Sequence, residues 1–296
     1  LRERNVQSAY HHADETSWLV FVEKQGKNSY RWWLWVFAGE DSVVYVLDPT
    51  RAHEVPEGHF PADAQGVLIV DRYSAYKAMK QVQVGKLILV FCWAHVRRDF
   101  VRVGKGYPEL KGWALTWLRQ IRELYRLHRE RRQHKSPSPE YAQVDATLRQ
   151  HVAAMCQQRN AELADQKLRE PCRKVLASLR EHWSGLTVFL DDPRIPLDNN
   201  FAERLMRSPA LGRKNYYGSG AERAGRLATM MFSTLATLNL WKINPRLWLS
   251  WYLEACAAAG GKAPSDIEPF LPWNLSDERR AALSGHSPPP ELDDSS

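Results

Sequence analysis

Gly66-Val67-Leu68-Ile69-Val70-Asp71 is an unbroken apolar run that ends in a carboxylate, and Lys86-Leu87-Ile88-Leu89-Val90-Phe91-Cys92-Trp93 is a second run of the same kind. Runs without polar–apolar alternation fit strands buried on both faces, as in a sheet covered by helices on two sides. Ser74 to Lys80, between them, has the length of a short helix, so the three segments read as a β-α-β unit with parallel strands. Toward the N-terminus the pattern changes to an antiparallel meander. Val6 through Glu23 reads as a strand ending at the turn Gln25-Gly26-Lys27-Asn28. Tyr30 to Phe37 is aromatic and β-branched, and the tight turn Ala38-Gly39-Glu40-Asp41 precedes Ser42 to Leu47. Pro49 to Pro61 carries internal breakers and is expected to form a short helix or loop crossing the sheet. The order is βββ-(α)-β-α-β, a mixed five-stranded sheet.

Beyond Arg97 the strand candidates stop. Leu110 to Gln133, Pro139 to Gln157 and Ala161 to His182 are charged, Leu-rich and helical in pattern, with Lys135-Ser136-Pro137-Ser138-Pro139 as a linker. Pro171 starts a new helix or kinks the third segment. Residues 198–208 and 221–259 are expected to be helical, joined by Tyr217-Gly218-Ser219-Gly220. Ser284 to Ser296 is rich in Pro and Asp and expected to be disordered.

The composition, 44% hydrophobic and 25% charged over 296 residues, is that of a globular protein and excludes disorder as the main state. The longest apolar run, Leu87 to Ala94, is far short of the roughly 20 residues a membrane helix needs. No signal-peptide pattern opens the chain, and Cys92, Cys156, Cys172 and Cys256 show no paired spacing, so a reducing cytoplasm is the expected setting. A first residue other than Met suggests that an N-terminal part precedes Leu1. Forty-one Lys and Arg against 34 Asp and Glu leave a net charge of +7, which favours a polyanionic partner such as nucleic acid.

Three acids stand out by position: Asp14 on the first strand, Asp71 at the end of the fourth, and Glu203 in the first turn of the helix after Leu197-Asp198-Asn199-Asn200. In open α/β sheets, ligands gather beyond the carboxyl ends of strands where the strand order switches. If the first and fourth strands are neighbours, Asp14 and Asp71 lie side by side and a later helix brings Glu203 over them. Two unit charges 4 Å apart repel by roughly 4 kcal/mol at an effective dielectric of 20, so such a triplet calls for a divalent cation. An all-oxygen donor set suits magnesium or manganese. Each acid also has a plainer reading: Asp71 as a turn-starting residue, Glu203 as the partner of Asn200 in a capping box, and Asp14, beside Glu15, on a solvated strand edge.

At these residues the chain resembles the bacterial insertion sequence 66 family of transposases, with a DDE catalytic domain. The matching stretches are His12-Ala13-Asp14-Glu15-Thr16-Ser17-Trp18, Tyr30-Arg31-Trp32-Trp33-Leu34-Trp35-Val36 and Val70-Asp71-Arg72-Tyr73-Ser74-Ala75-Tyr76. Cys92-Trp93-Ala94-His95-Val96-Arg97-Arg98-Asp99-Phe100, Leu197-Asp198-Asn199-Asn200-Phe201-Ala202-Glu203-Arg204, Gly212-Arg213-Lys214-Asn215 and Pro272-Trp273 follow in family order. The resemblance implies an α/β, RNase H-like fold: a mixed five-stranded sheet flanked by helices, with an all-helical insertion before the last catalytic helix. It also implies Asp14, Asp71 and Glu203 as catalytic and metal-binding residues for two Mg2+ (or Mn2+) ions. The expected organisation is a first part of the core at 1–104, the insertion at 105–185, the second part of the core at 186–260, and an extension with the disordered tail at 261–296. Arg72 departs from the family, which commonly has a small residue there. The family's zinc-binding and coiled-coil segments are expected upstream of this stretch.

The implied activity is cleavage of one strand at a transposon end, followed by transfer of the freed 3′-hydroxyl into target DNA. DNA is then the partner, with a homo-oligomer expected on it, accessory proteins of the same element possible, and no membrane. Two rival readings are a catalytically silent DNA-binding protein derived from a transposase and an RNase H-like nuclease that cuts without joining. Candidate DNA contacts are Arg72, His95, Arg97, Arg98, Arg204, Arg207, Arg213 and Lys214. Arg119, Arg122, Arg126 and Arg129 recur at helical spacing, as a solvated face or a surface that tracks a DNA backbone. Cys92-x-x-His95 has half of a zinc site's spacing, with His11 and His12 as conceivable partners. Trp32, Trp33 and Trp35 share a strand, so at least one of them faces the core.

Overall fold

In the computed structural model, residues 1–22 and 30–285 are described. The turn expected at 25–28 and nearly all of the tail expected to be disordered lie outside them. Five strands, β1 (Tyr10–Leu19), β2 (Arg31–Ala38), β3 (Val43–Asp48), β4 (Gly66–Val70) and β5 (Leu87–Phe91), form one sheet in the order β3-β2-β1-β4-β5. The pairs β1/β2 and β2/β3 are antiparallel, and β1/β4 and β4/β5 are parallel, as the two patterns in the sequence require. The first strand, expected from Val6, starts only at Tyr10; ahead of the expected strand Arg2–Asn5 is a helical turn whose buried Asn5 donates to the Ser42 carbonyl at 2.9 Å.

Both faces of the sheet are buried over β2 and the end of β4, which accounts for the apolar run there. On the edge strand β5 Ile88 is exposed, so that run is buried on both faces only at its end. Trp35 and Phe37 of β2 join Leu68, Val70 and Phe91 on one face, while Trp32, Leu34 and Val36 face the other with Trp18 and Tyr45. Trp33 is the half-buried member of the tryptophan trio. At the start of β4, Gly66 has φ +140°, and a Cβ there would lie 2.6 Å from the Ala9 carbonyl oxygen. The adjacent Val67 N–H bonds that same carbonyl at 2.9 Å, so the glycine permits the close approach that sets the β1/β4 register.

The main helices are α1 (Trp93–Gly106), α2 (Lys111–Arg131), α3 (Pro139–Ala164), α4 (Glu170–Glu181), α5 (Asn200–Tyr216), α6 (Glu222–Leu240) and α7 (Pro245–Ala258). Pro49 to Pro61 contains the short helix Glu54–His59, and the β4–β5 crossover carries two, Ser74–Ala78 and Lys80–Gln83. Pro171 does start a helix, in the first turn of α4, where its missing N–H costs nothing. The break expected between 157 and 161 is absent, and α3 runs to Ala164. The helical stretch 93–187 shares its core with the sheet: Trp117, Ile121, Leu148 and Leu176 belong to the same buried cluster as Leu68 and Val70. It is thus packed on the sheet and has no separate core.

On the opposite face, α5 supplies Ala202 and Met206, and Phe232 of α6 packs against them. β3 is an edge strand, and α6 covers it. Ser233 Oγ accepts from the Tyr45 N–H at 2.8 Å and Thr237 Oγ1 from the Val43 N–H at 3.0 Å. These hydroxyls occupy edge donors that would otherwise invite another strand. Beyond α7, Leu275 and Leu283 pack on Leu238 and Ile243.

Candidate active site

The parallel register pairs Tyr10 with Val67, His11 with Leu68 and His12 with Ile69. Continued by two residues, the same offset sets Asp14 level with Asp71. Asp14 lies on β1, the central strand, so the solvated-edge reading does not apply; it is half-buried and pairs in register with Val36. Its Oδ1 accepts from the Glu15 N–H at 2.9 Å. Asp71 sits just past β4, and its Oδ1 accepts from the Tyr73 N–H at 2.8 Å, the Asx turn its plainer reading foresaw.

Glu203 is half-buried in the first turn of α5. The N-cap is Asn199, without a side-chain capping bond, so the capping box with Asn200 does not form. Glu203 Oε1 is buried and accepts no hydrogen bond among the described residues; His95 Nε2 lies 3.6 Å and an Arg98 nitrogen 4.0 Å from it. Burial, together with the charges of Glu15, Asp71 and Glu203, pushes the Asp14 carboxyl up to about 7, while the Glu15 backbone N–H opposes the rise. Asp14 thus lies within reach of the charges of Asp71 and Glu203. Among the described residues, the side chains whose ligand atoms all lie within 4.8 Å of one another are Cys92, His95 and Glu203, and the three acids do not form such a group.

Asn199 decides where Glu203 sits. It is 1% exposed, and its Nδ2 donates to the Ala13 carbonyl at 2.7 Å, one residue before Asp14. Its backbone N–H donates to Cys92 Sγ at 3.2 Å, and its Oδ1 lies 2.8 Å from His12 Nδ1, which places the ring proton on Nδ1. The Trp93 N–H also bonds the Leu197 carbonyl at 2.8 Å. One amide thus ties the start of α5 to β1 and to the end of β5. Asn199 stands in the stretch Leu197-Asp198-Asn199-Asn200, where no local pattern marks it for this role.

The zinc partners imagined for Cys92 and His95 are elsewhere. His11 is buried edge-on against Phe60, and His12 is engaged by Asn199. Burial holds the Cys92 thiol above its usual range and His95 below its own. On the other face of β1, Glu15 is held by Tyr76 Oη at 2.6 Å and Arg51 Nε at 2.9 Å, with the Arg51 guanidinium stacked 3.9 Å from the centre of the Tyr73 ring. No sequence signal marked that buried network, because its members are brought together only by the sheet.

The candidate DNA contacts separate into two groups. Arg72 pairs with Asp99 and donates to Ser178 Oγ at 2.9 Å, and Arg213 donates to the Ser17 carbonyl and to Ser17 Oγ at 3.2 Å, clamping α5 on β1. Arg97, Arg98, Arg204, Arg207 and Lys214 are exposed. His95 is half-buried over Glu203. Among the described residues, no helix is long and apolar enough to cross a membrane.

A five-stranded mixed sheet with helices packed on it, with Asp14 on its central strand and Asp71 just past the parallel neighbour, defines an α/β protein. Residues 1–227 match the family described as "Transposase IS66 family", and the chain belongs to that family. It is similar to three proteins of Sinorhizobium fredii (strain NBRC 101917 / NGR234). To "Uncharacterized protein y4jD" it is 34% identical over 251 residues, 81% of this chain and 47% of that protein. To "Uncharacterized protein y4qI" it is 30% identical over 283 residues, 89% and 50% of the two chains, and to "Uncharacterized protein y4hP" 28% over 256 residues, 78% and 43%. The chain spans about half the length of these relatives or slightly less.

Proposed function

We propose that the chain is the RNase H-like catalytic part of a DDE transposase, with Asp14, Asp71 and Glu203 holding two Mg2+ or Mn2+ ions. The observation that carries this reading is the parallel register of β1 and β4, which sets Asp14 level with Asp71 at the switch in strand order; burial and the neighbouring acids push the Asp14 carboxyl up, as expected of such a site. A half-buried cluster of like charges is costly, and a hard divalent cation is the partner its oxygen donors fit. The buried Glu203 Oε1, without a hydrogen bond, supplies an oxygen of the right chemistry. When bound, two such ions supply nucleophile activation and neutralise charge on the leaving oxygen of a phosphodiester.

The chain's own residues do the positioning. Asp14 and Asp71 extend from adjacent strands of a rigid sheet, and Asn199 fixes the helix that carries Glu203. His95 and Arg98, beside Glu203, face the same site; Arg98 offers charge to a phosphate, and His95, held neutral by burial, offers a hydrogen bond. The reading assigns hydrolysis of one strand at the transposon end, which frees a 3′-hydroxyl, and then direct attack of that hydroxyl on a target phosphodiester. No covalent enzyme–DNA bond is required. DNA ends and target are the proposed partners, and bringing two ends together calls for at least two copies on DNA.

A strand-transfer assay with the element's own ends, in magnesium and in chelator, tests this. Metal-dependent joined products that disappear in Asp14→Ala are expected. Joining by that variant would overturn the assignment, and cutting without joining would favour the nuclease.

A further inference from the structure

Along α2 the arginines fall into two kinds. Arg126 is neutralised by Glu123 and Glu130 at 2.7 and 2.6 Å, and Arg131 is fully buried against Asp145. Arg119, Arg122 and Arg129 are exposed and in no ion pair among the described residues, as are Arg97 on α1 and Arg132 just past α2. These five free guanidinium groups line two adjoining clefts of about 510 and 540 Å³, which share Tyr125 and Arg129. The cleft floor is apolar: Leu115, Leu118 and Ile121 lie on the same face of α2 as Tyr125.

We propose that this groove takes an unpaired DNA strand, with its phosphates on the arginine rim and its bases against Tyr125 and the leucines. The inference rests on the transposase reading and gives that site a substrate track. A duplex would present only its backbone, whereas a recessed floor with an aromatic ring suits bases that are not paired. Two of the groove's lining residues are chain neighbours of residues at the acidic site: Arg97 precedes Arg98, whose guanidinium lies 4.0 Å from Glu203, and Asp198 precedes Asn199.

The test is fluorescence anisotropy of a labelled single-stranded oligonucleotide and its duplex, in chelator, with the full chain and with Arg119→Gln/Arg122→Gln/Arg129→Gln. All three side chains are on the surface, and an unchanged melting temperature will verify the fold. Wild type is expected to bind the single strand more tightly than the duplex. The triple variant should bind it at least about tenfold more weakly, and its log–log salt slope should fall by about 2, at roughly 0.7 per single-strand phosphate contact. Equal single-strand binding by the variant, or a wild-type preference for duplex, would overturn the proposal. Asp14→Asn separates the two readings. If it binds like wild type and cleavage proves independent of Asp14, the groove stands and the catalytic assignment falls; if cleavage needs Asp14 but the triple variant binds normally, only the groove falls.

Discussion

Asp14 and Asp71 stand level with each other across the parallel pair β1/β4, at the offset that also pairs His12 with Ile69. Their juxtaposition follows from strand register, and a one-residue slip would turn every side chain to the opposite face of the sheet, taking Asp14 away from Asp71. The glycine at 66 and the bond from Val67 to Ala9 hold that register at its beginning.

Asp14→Asn removes one charge from the acidic cluster while keeping its shape. Metal-dependent strand cleavage should fall by at least about a thousandfold, with far-UV circular dichroism unchanged. Isothermal titration should show manganese uptake by wild type and a marked loss in the variant. Cleavage near the wild-type rate would remove Asp14 from the catalytic set.

The same substitution has a pH-dependent effect on stability. An ordinary aspartate ionises near 4, and Asp14 in the folded chain near 7. Between these values the folded state binds more protons than the unfolded one, so stability falls as pH rises from about 4 to about 7. Asp14→Asn should therefore melt several degrees above wild type at pH 8 without metal, and the difference should shrink toward pH 5. Added magnesium should also shrink it at pH 8. A melting difference that is flat with pH would show that Asp14 is not held in its protonated form.

Asn199→Ala deletes the bond to the Ala13 carbonyl and the contact with His12 inside a nearly solvent-free site. A cost of about 2–4 kcal/mol in urea unfolding is expected, since buried partners are left unsatisfied at about 1–3 kcal/mol each. Activity of the remaining folded protein should fall further, because the first turn of α5 is then free to shift Glu203. Folded variant with full activity would show that Asn199 serves stability alone.

Gly66→Ala places a Cβ against the Ala9 carbonyl in a backbone conformation that side chains rarely adopt. Destabilisation of at least about 1–3 kcal/mol is expected. Gly58→Ala, where a Cβ meets nothing within 4 Å and Gly58 lies in a short helix, is the control and should be neutral or mildly stabilising. Equal melting temperatures for the two variants would contradict this account of the β1/β4 register.

How much was legible along the chain depended on the range of the interaction. β4 was readable because burial of Leu68, Ile69 and Val70 on both faces leaves a continuous apolar run, and β5 because its run is equally apolar although Ile88 is exposed. α5 was not read to its end: the helical pattern was expected to stop at 208, yet the helix continues through Pro209 to Tyr216, with Arg213 clamped on Ser17. That anchoring is tertiary and outweighs the local cost of a proline inside a helix. The four arginines at helical spacing looked alike, and only the neighbours of Arg126 distinguish it from Arg119, Arg122 and Arg129.

By itself, the sequence determined the strand and helix pattern, the basic surplus, the family resemblance and the identity of three widely separated acids. These are carried by local apolar periodicity and by motifs within a few residues of one another. The tertiary structure alone decided that Asn199 bonds Ala13, that Glu203 turns toward His95 and Arg98, that Glu15 is buried under Arg51 and Tyr76, and which arginines stay unpaired. The physical reason is that each of these depends on partners remote in the chain. A polar side chain's burial and charge balance are set by what the folded sheet and helices bring within about 4 Å, and no local pattern encodes that.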